Sequence, residues 1–182
     1  MQQSPAATGV FDFMADIFIS YWNGEYGVAS AVQDFIHAQL ESVSIFMADS
    51  RTLRAGDDWL TTIRTELKEA RVVLSILSDE SVKRPWVHFE AGAAWMDKVL
   101  IPVCFGRMEK GSMPAPYNRL QAIQLRLPAD QYQLIRDLDY HLGLNAAPEP
   151  HHFALAMVGN DEHPLRKVHR DFTKLIESWE RE

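Results

Sequence analysis

Cysteine is almost missing from this chain. Cys104 is the only one in 182 residues, so no intrachain disulfide can staple the fold. It lies in the apolar run VLIPVCF, where a buried structural thiol is expected, and so sparing a use of cysteine fits a reducing cytoplasm. Long hydrophobic runs are missing too. No stretch approaches the roughly 18 apolar residues of a spanning helix. The first fifteen residues, MQQSPAATGVFDFMA, hold no Lys or Arg and no long apolar core, which argues against a secretory signal. A soluble protein without a membrane role is expected. Positive charge is in deficit, with 18 basic against 25 acidic residues and a net charge of −7, so a nucleic-acid surface is not expected.

Several chemical signatures are also lacking. No G-x-G-x-x-G follows a strand, no G-x-x-x-x-G-K-[ST] is present, and no G-x-S-x-G elbow exists. These absences disfavour a dinucleotide dehydrogenase, a P-loop NTPase and a triad hydrolase. Of the seven histidines, His151, His152 and His163 invite a metal reading, but their spacing fits no ligand motif. Solvated histidines in a linker are the better reading, and no metal is expected.

The chain does contain an ordinary globular composition, 47% hydrophobic and 24% charged, enough for one domain with a sizeable core. Short β-branched or aromatic runs alternate with helical patterns. Strands are expected at 16–20 (DIFIS), 43–48 (VSIFMA), 71–78 (RVVLSILS), 99–105 (VLIPVCF) and 122–127 (AIQLRL). Between them, apolar residues at helical spacing mark helices over 28–40, 60–70, 85–98 and 134–142, the last ended by Gly143. RVVLSILS is apolar enough to be a central strand covered on both faces. The alternation predicts an α/β three-layer sandwich with a five-stranded parallel sheet. Residues 1–15 read as an N-terminal extension and 16–145 as the domain. Residues 146–182 read as a linker, NAAPEPHH at its start, and an amphipathic C-terminal helix carrying Leu165, Val168, Phe172, Leu175, Ile176 and Trp179. That helix packs on the domain or serves assembly.

Ligands of open parallel sheets bind beyond the carboxyl ends of the strands. The residues leaving those ends include Ser20, Tyr21, Trp22, Arg51 and Ser78. Phosphoacceptor receiver domains share this alternation, but they need an acidic cluster after the first strand and a lysine after the last. Here Asp12 precedes the first strand and Asp16 opens it, and the fifth leads into LPAD. One carboxylate is conspicuous: in RPWVHFEAGAAWMDK, residues 84–98, Trp86, Phe89, Ala93 and Met96 form an apolar stripe, and Glu90 lies one turn from Trp86. A carboxylate among apolar neighbours needs compensation, and a perturbed one in a cleft marks a candidate site.

The segments DIFISYW, IFMADSRTLRAGDDWLTTIRTELKEARVVLSILSDESV, PWVHFEAGAA and LIPV together resemble a TIR domain over residues 16–103, of the bacterial NAD+-consuming type. The most specific piece is the tryptophan and glutamate of WVHFE. The resemblance implies a flavodoxin-like fold and cleavage of NAD+ between nicotinamide and ribose, with NAD+ as substrate and no cofactor. It implies hydrolysis to ADP-ribose, cyclisation or base exchange, within bacterial antiphage defence. Its W-x-x-x-E glutamate maps onto Glu90 as the catalytic residue. The family also contains adaptors without catalysis, and a nucleoside-processing enzyme of related fold is a third reading.

For the remaining residues the resemblance and the bland alternative stand side by side. Trp86 walls the ligand or packs in the core; Trp59 and Trp95 are expected in the core. Ser20, Tyr21 and Trp22 line the nucleotide pocket, or the two aromatics lie exposed on a loop. The family's aspartate after ISY is replaced by WNGEYG, leaving Glu25 as the nearest acid. Arg51 and Arg54 suit a diphosphate or an acidic partner surface, or are solvated charges. The loop 49–58 that holds them matches the family's assembly loop, through which a homo-oligomer or filament is implied, and an effector or sensor protein is a further possible partner. Ser78 bonds the ligand or caps the following turn.

Overall fold

The computed structural model describes residues 15–47, 59–158 and 163–180. Five strands form one parallel sheet in the order β2-β1-β3-β4-β5, where β1 is Ile17–Ser20, β2 Ile45–Met47, β3 Val72–Leu77, β4 Val99–Cys104 and β5 Ile123–Gln124. The register aligns Ser20 with Ser75, and Ser75 with Pro102. β3 occupies the centre because every residue of VVLSIL is apolar or small, and all six are buried. β5 is only two residues long where six were expected. The chain leaves it early: Gln124 N–H and the Lys110 ammonium both bond the Asp130 carboxylate, at 2.7 Å each, and Pro128 then opens the next helix.

Among the described residues six α-helices surround the sheet: α1 Tyr26–His37, α2 Trp59–Glu69, α3 Pro85–Trp95, α4 Pro128–Leu142, α5 Pro150–Val158 and α6 Pro164–Glu180. Alternate strand residues face opposite sides. Ile17, Ile19, Val72, Leu74 and Ile76 meet α1, α4 and α6, whereas Phe18, Val73 and Leu77 meet α2 and α3. Ser20 and Ser75 therefore point toward α3. At the end of α4 the chain turns at Gly143, whose φ of +67° suits a residue without a side chain.

The C-terminal amphipathic helix packs on the domain, with Phe172 and Ile176 in the core and the Phe172 ring stacked on Phe35 at 4.3 Å. The expected linker is partly helical: α5 starts at Pro150, anchored by a stack of Phe153 on Tyr132 at 3.9 Å and by buried Ala156. His151 and His152 are thus exposed helix residues rather than loop residues. Among the described residues no cluster of ligating side chains could hold a metal, and no helix is long and apolar enough to cross a membrane. Cys104 is buried as expected, its thiol pushed up to about 12 by loss of solvent.

The stripe Trp86, Phe89, Ala93 and Met96 of α3 does not face the core; Phe89 and Met96 are 50% and 82% exposed. The buried face is Val87, Glu90, Ala91 and Ala94. Trp59 and Trp95 are likewise at the surface rather than in the core.

Candidate active site

The strand order reverses between β1 and β3, so the crevice beyond their carboxyl ends is the place where a sheet of this kind binds ligands. Glu90 reaches that crevice from the second turn of α3 and is 1% exposed. Among the described residues each carboxylate oxygen has one donor. Ser20, the last residue of β1, donates from Oγ to Oε2 at 2.5 Å, and Trp86, one turn earlier on α3, donates from Nε1 to Oε1 at 2.6 Å. Both bonds favour the charged form, yet burial outweighs them and holds the carboxyl up at about 7. The group is therefore poised between its two protonation states near neutral pH.

Trp86 is half-buried and belongs to an exposed aromatic layer, 4.8 Å from the Trp59 ring and 5.1 Å from the Phe89 ring. It is neither plain core nor a free wall, since its N–H is committed to Glu90. Behind the carboxylate lies Tyr117, fully buried, whose phenol is raised above its ordinary range by burial.

A second buried carboxylate, Glu25, sits further along the same crevice. It closes a short 3-10 turn, Asn23–Glu25, after β1 and accepts a hydrogen bond from the Ser78 hydroxyl. Its Oε2 is buried without a partner among the described residues, and burial raises its carboxyl above the usual range. Ser78 also accepts from the Ser81 and Glu80 amides at 3.0 and 3.1 Å, so it both caps the turn after β3 and ties that turn to Glu25. Trp22 lies half-buried across Gly24, where a Cβ would fall 2.6 Å from the indole, and the Arg84 guanidinium lies 4.3 Å above the Trp22 ring.

The structure thus brings Ser20, Trp86 and Glu90 together, with Trp22 and Ser78 on the same edge. Tyr21 departs from expectation: it is 6% exposed and packs in the core beside Tyr26, because period-two alternation turns it away from Ser20 toward α1. Arg51, Arg54 and the whole loop 49–58 lie outside the described residues. Glu25 and Arg84 were not assigned a role from sequence. Glu25 had a signal, as the nearest acid after ISY; Arg84 had none beyond its place before Pro85. A cavity of about 640 Å³ lies beside the site, between α2 and α3, lined by Leu60, Arg64, Lys68, Phe89, Ala93 and Lys98. It does not reach Glu90.

A family model described as TIR domain matches residues 17–138. The chain belongs to the TIR-domain family. That family includes signalling modules and enzymes that cleave NAD+. Among solved structures, the chain is similar to a metazoan TIR-STING receptor from C. gigas, with a TM-score of 0.54 and 18% identity over 85% of this chain and 48% of that one. This TIR domain thus spans about half the length of the receptor it matches, and the likeness is one of fold. A weaker likeness is to the TIR domains of the activated Roq1 resistosome recognising the effector XopQ, at a TM-score of 0.43 and 15% identity over 90% and 84% of the two chains. No curated protein matches.

Proposed function

We infer that this TIR domain is an enzyme that cleaves the nicotinamide–ribose bond of NAD+, with Glu90 as its catalytic residue. The observation that carries the reading is a buried carboxylate, held by one donor on each oxygen and poised near pH 7, at the switch point of the sheet. Nicotinamide in NAD+ is a cationic leaving group and departs with the bonding electrons as a neutral base, so no general acid is needed. Positive charge then develops on the ribose, as in other glycosyl transfers. A fixed carboxylate in a low-polarity wall stabilises that charge more than water would.

To meet the substrate, Glu90 exchanges the Trp86 indole N–H, the Ser20 hydroxyl, or both, for ribose hydroxyls. The aromatic layer of Trp86, Trp59 and Phe89 is then positioned to border the nicotinamide. In hydrolysis, water bonds to ribose C1′ and loses a proton, giving ADP-ribose, nicotinamide and H⁺. An adenine nitrogen as nucleophile would give a cyclic product, and an added base would give exchange. Assembly through the loop 49–58, a sensor or effector partner, a cytoplasmic setting and a role in bacterial antiphage defence are supported by the family resemblance.

The test is chromatographic. NAD+ incubated with the native protein should yield nicotinamide together with ADP-ribose, a cyclic isomer or, with an added base, the exchanged dinucleotide. Glu90→Gln should abolish all of them. Turnover that survives the substitution would remove Glu90 from the chemistry. A native protein inert toward NAD+ at every concentration, including those that favour assembly, would favour a non-catalytic adaptor.

A further inference from the structure

We propose that Arg84, laid over the Trp22 indole at the head of α3, is the residue that takes the diphosphate of the dinucleotide. The assignment rests on the reading of Glu90 as the centre that attacks the nicotinamide ribose. Arg84 immediately precedes α3 and Glu90 lies six residues further on, about 9 Å along the helix axis at 1.5 Å per residue. Trp22 lies two residues beyond Ser20, the hydroxyl that bonds Glu90. The Arg84–Trp22 stack therefore bridges the end of β1 and the start of α3 at the same end of the sheet as the carboxylate. In the substrate, the diphosphate is joined to C5′ of the ribose whose C1′ reacts.

The guanidinium is oriented but not used up. Trp22 is backed by Gly24 and fixes the plane of the cation by stacking. Among the described residues its ion pair is a long contact to Glu80, Nη2 to Oε2 at 3.5 Å, and Glu80 is shared with Lys83, whose ammonium donates at 2.6 Å. Arg84 Nε is buried without a partner among the described residues. A fork that is stacked, singly paired and short of acceptors suits an anion with several oxygens.

The surrounding charges have a definite balance. Lys83, Arg84 and Glu80 sum to +1, and Glu25 lies close enough to feel the Arg84 charge. The first turn of α3 adds its own positive end: Pro85 opens it, no side chain caps it, and the first-turn amides face the same edge. Lys83 is the weaker candidate, because it is 63% exposed and engaged with Glu80.

The experiment compares native protein, Arg84→Gln and Arg84→Lys in NAD+ turnover and, by titration calorimetry, in binding of ADP-ribose. Loss of a charge-assisted contact should raise KM for NAD+ and weaken ADP-ribose about 10–100-fold in Arg84→Gln, with Arg84→Lys in between and kcat changed much less. An ADP-ribose affinity within twofold of native in a folded Arg84→Gln protein overturns the proposal. So does a fall in kcat at constant KM, which would make Arg84 a support for α3. If the native protein binds ADP-ribose in an Arg84-dependent way but does not turn over NAD+, the catalytic reading fails while the diphosphate assignment stands. If the native protein does not bind ADP-ribose, the diphosphate assignment fails.

Discussion

Glu90→Gln should make the protein more stable above pH 4.5, with the full gain above pH 7. Glu90 is 1% exposed and its carboxyl is held at about 7, against 4.5 for an unperturbed glutamate. Between those values the folded chain keeps a proton that the unfolded chain has lost. The protonated group therefore supports the fold below pH 4.5, and that support is lost as pH rises through 7. The difference of two and a half pH units corresponds to about 3 kcal/mol. Glutamine has the same shape, stays neutral and can still accept from Trp86 and bond Ser20. For a chain of this size, about 3 kcal/mol is a rise of about 6–12 °C in Tm. Scanning calorimetry of both proteins from pH 4 to pH 8 should show matching Tm values at pH 4 and a gap of that size at pH 8. A gap that does not vary with pH, or a variant less stable than native at pH 8, would refute the reasoning. The burial of Glu90 would then owe nothing to function at the expense of stability.

Ser20→Ala removes the bond that favours the charged form of Glu90, so the acid limb of kcat/KM should move about one to two pH units to the alkaline side of 7, as a pH–rate profile would show. His169 faces the opposite way. Buried between Gln131 and Gln39, its imidazole is pushed down to about 4, so its contribution is complete above pH 6.5 and is lost as pH falls through 4. His169→Leu should lower Tm at pH 7 by removing the buried imidazole N–H that one of the two glutamine amides accepts, yet flatten the fall in Tm between pH 6.5 and 4. Gly143→Ala forces a side chain into φ +67° and should cost about 1–2 kcal/mol, measurable by urea unfolding, with turnover at 25 °C unchanged.

The parallel sheet was legible because its signals are local: VVLSIL, short, β-branched and apolar or small throughout, reads as a covered strand, and the alternation of strands and helices implies parallel neighbours. The Trp86–Glu90 contact was legible for the same reason, since residues one turn apart on a helix meet. The buried face of α3 was not. PWVHFEAGAAW carries apolar side chains all round, so periodicity cannot choose between the Trp86–Phe89–Ala93 stripe and the Val87–Glu90–Ala94 stripe that packs. α5 was hidden by its shortness and by the prolines at 148 and 150, which read as linker; only the stack of Phe153 on Tyr132 makes it a packed element. The bond between Ser78 and Glu25 joins residues 53 apart in sequence, and the Arg84–Trp22 stack joins two separate turns. Neither leaves a local pattern. Both exist because β1 and β3 are neighbours in the sheet and end at the same edge.

The pH dependence of nicotinamide release from NAD+, followed in native protein and Glu90→Gln side by side, bears most directly on the role of Glu90. Native kcat/KM should rise as pH increases through about 7, where the buried carboxylate loses its proton, and Glu90→Gln should show no release at any pH. A native profile flat between pH 5.5 and 8.5, or release by the folded glutamine variant at the native rate, would contradict the assignment of the chemistry to Glu90.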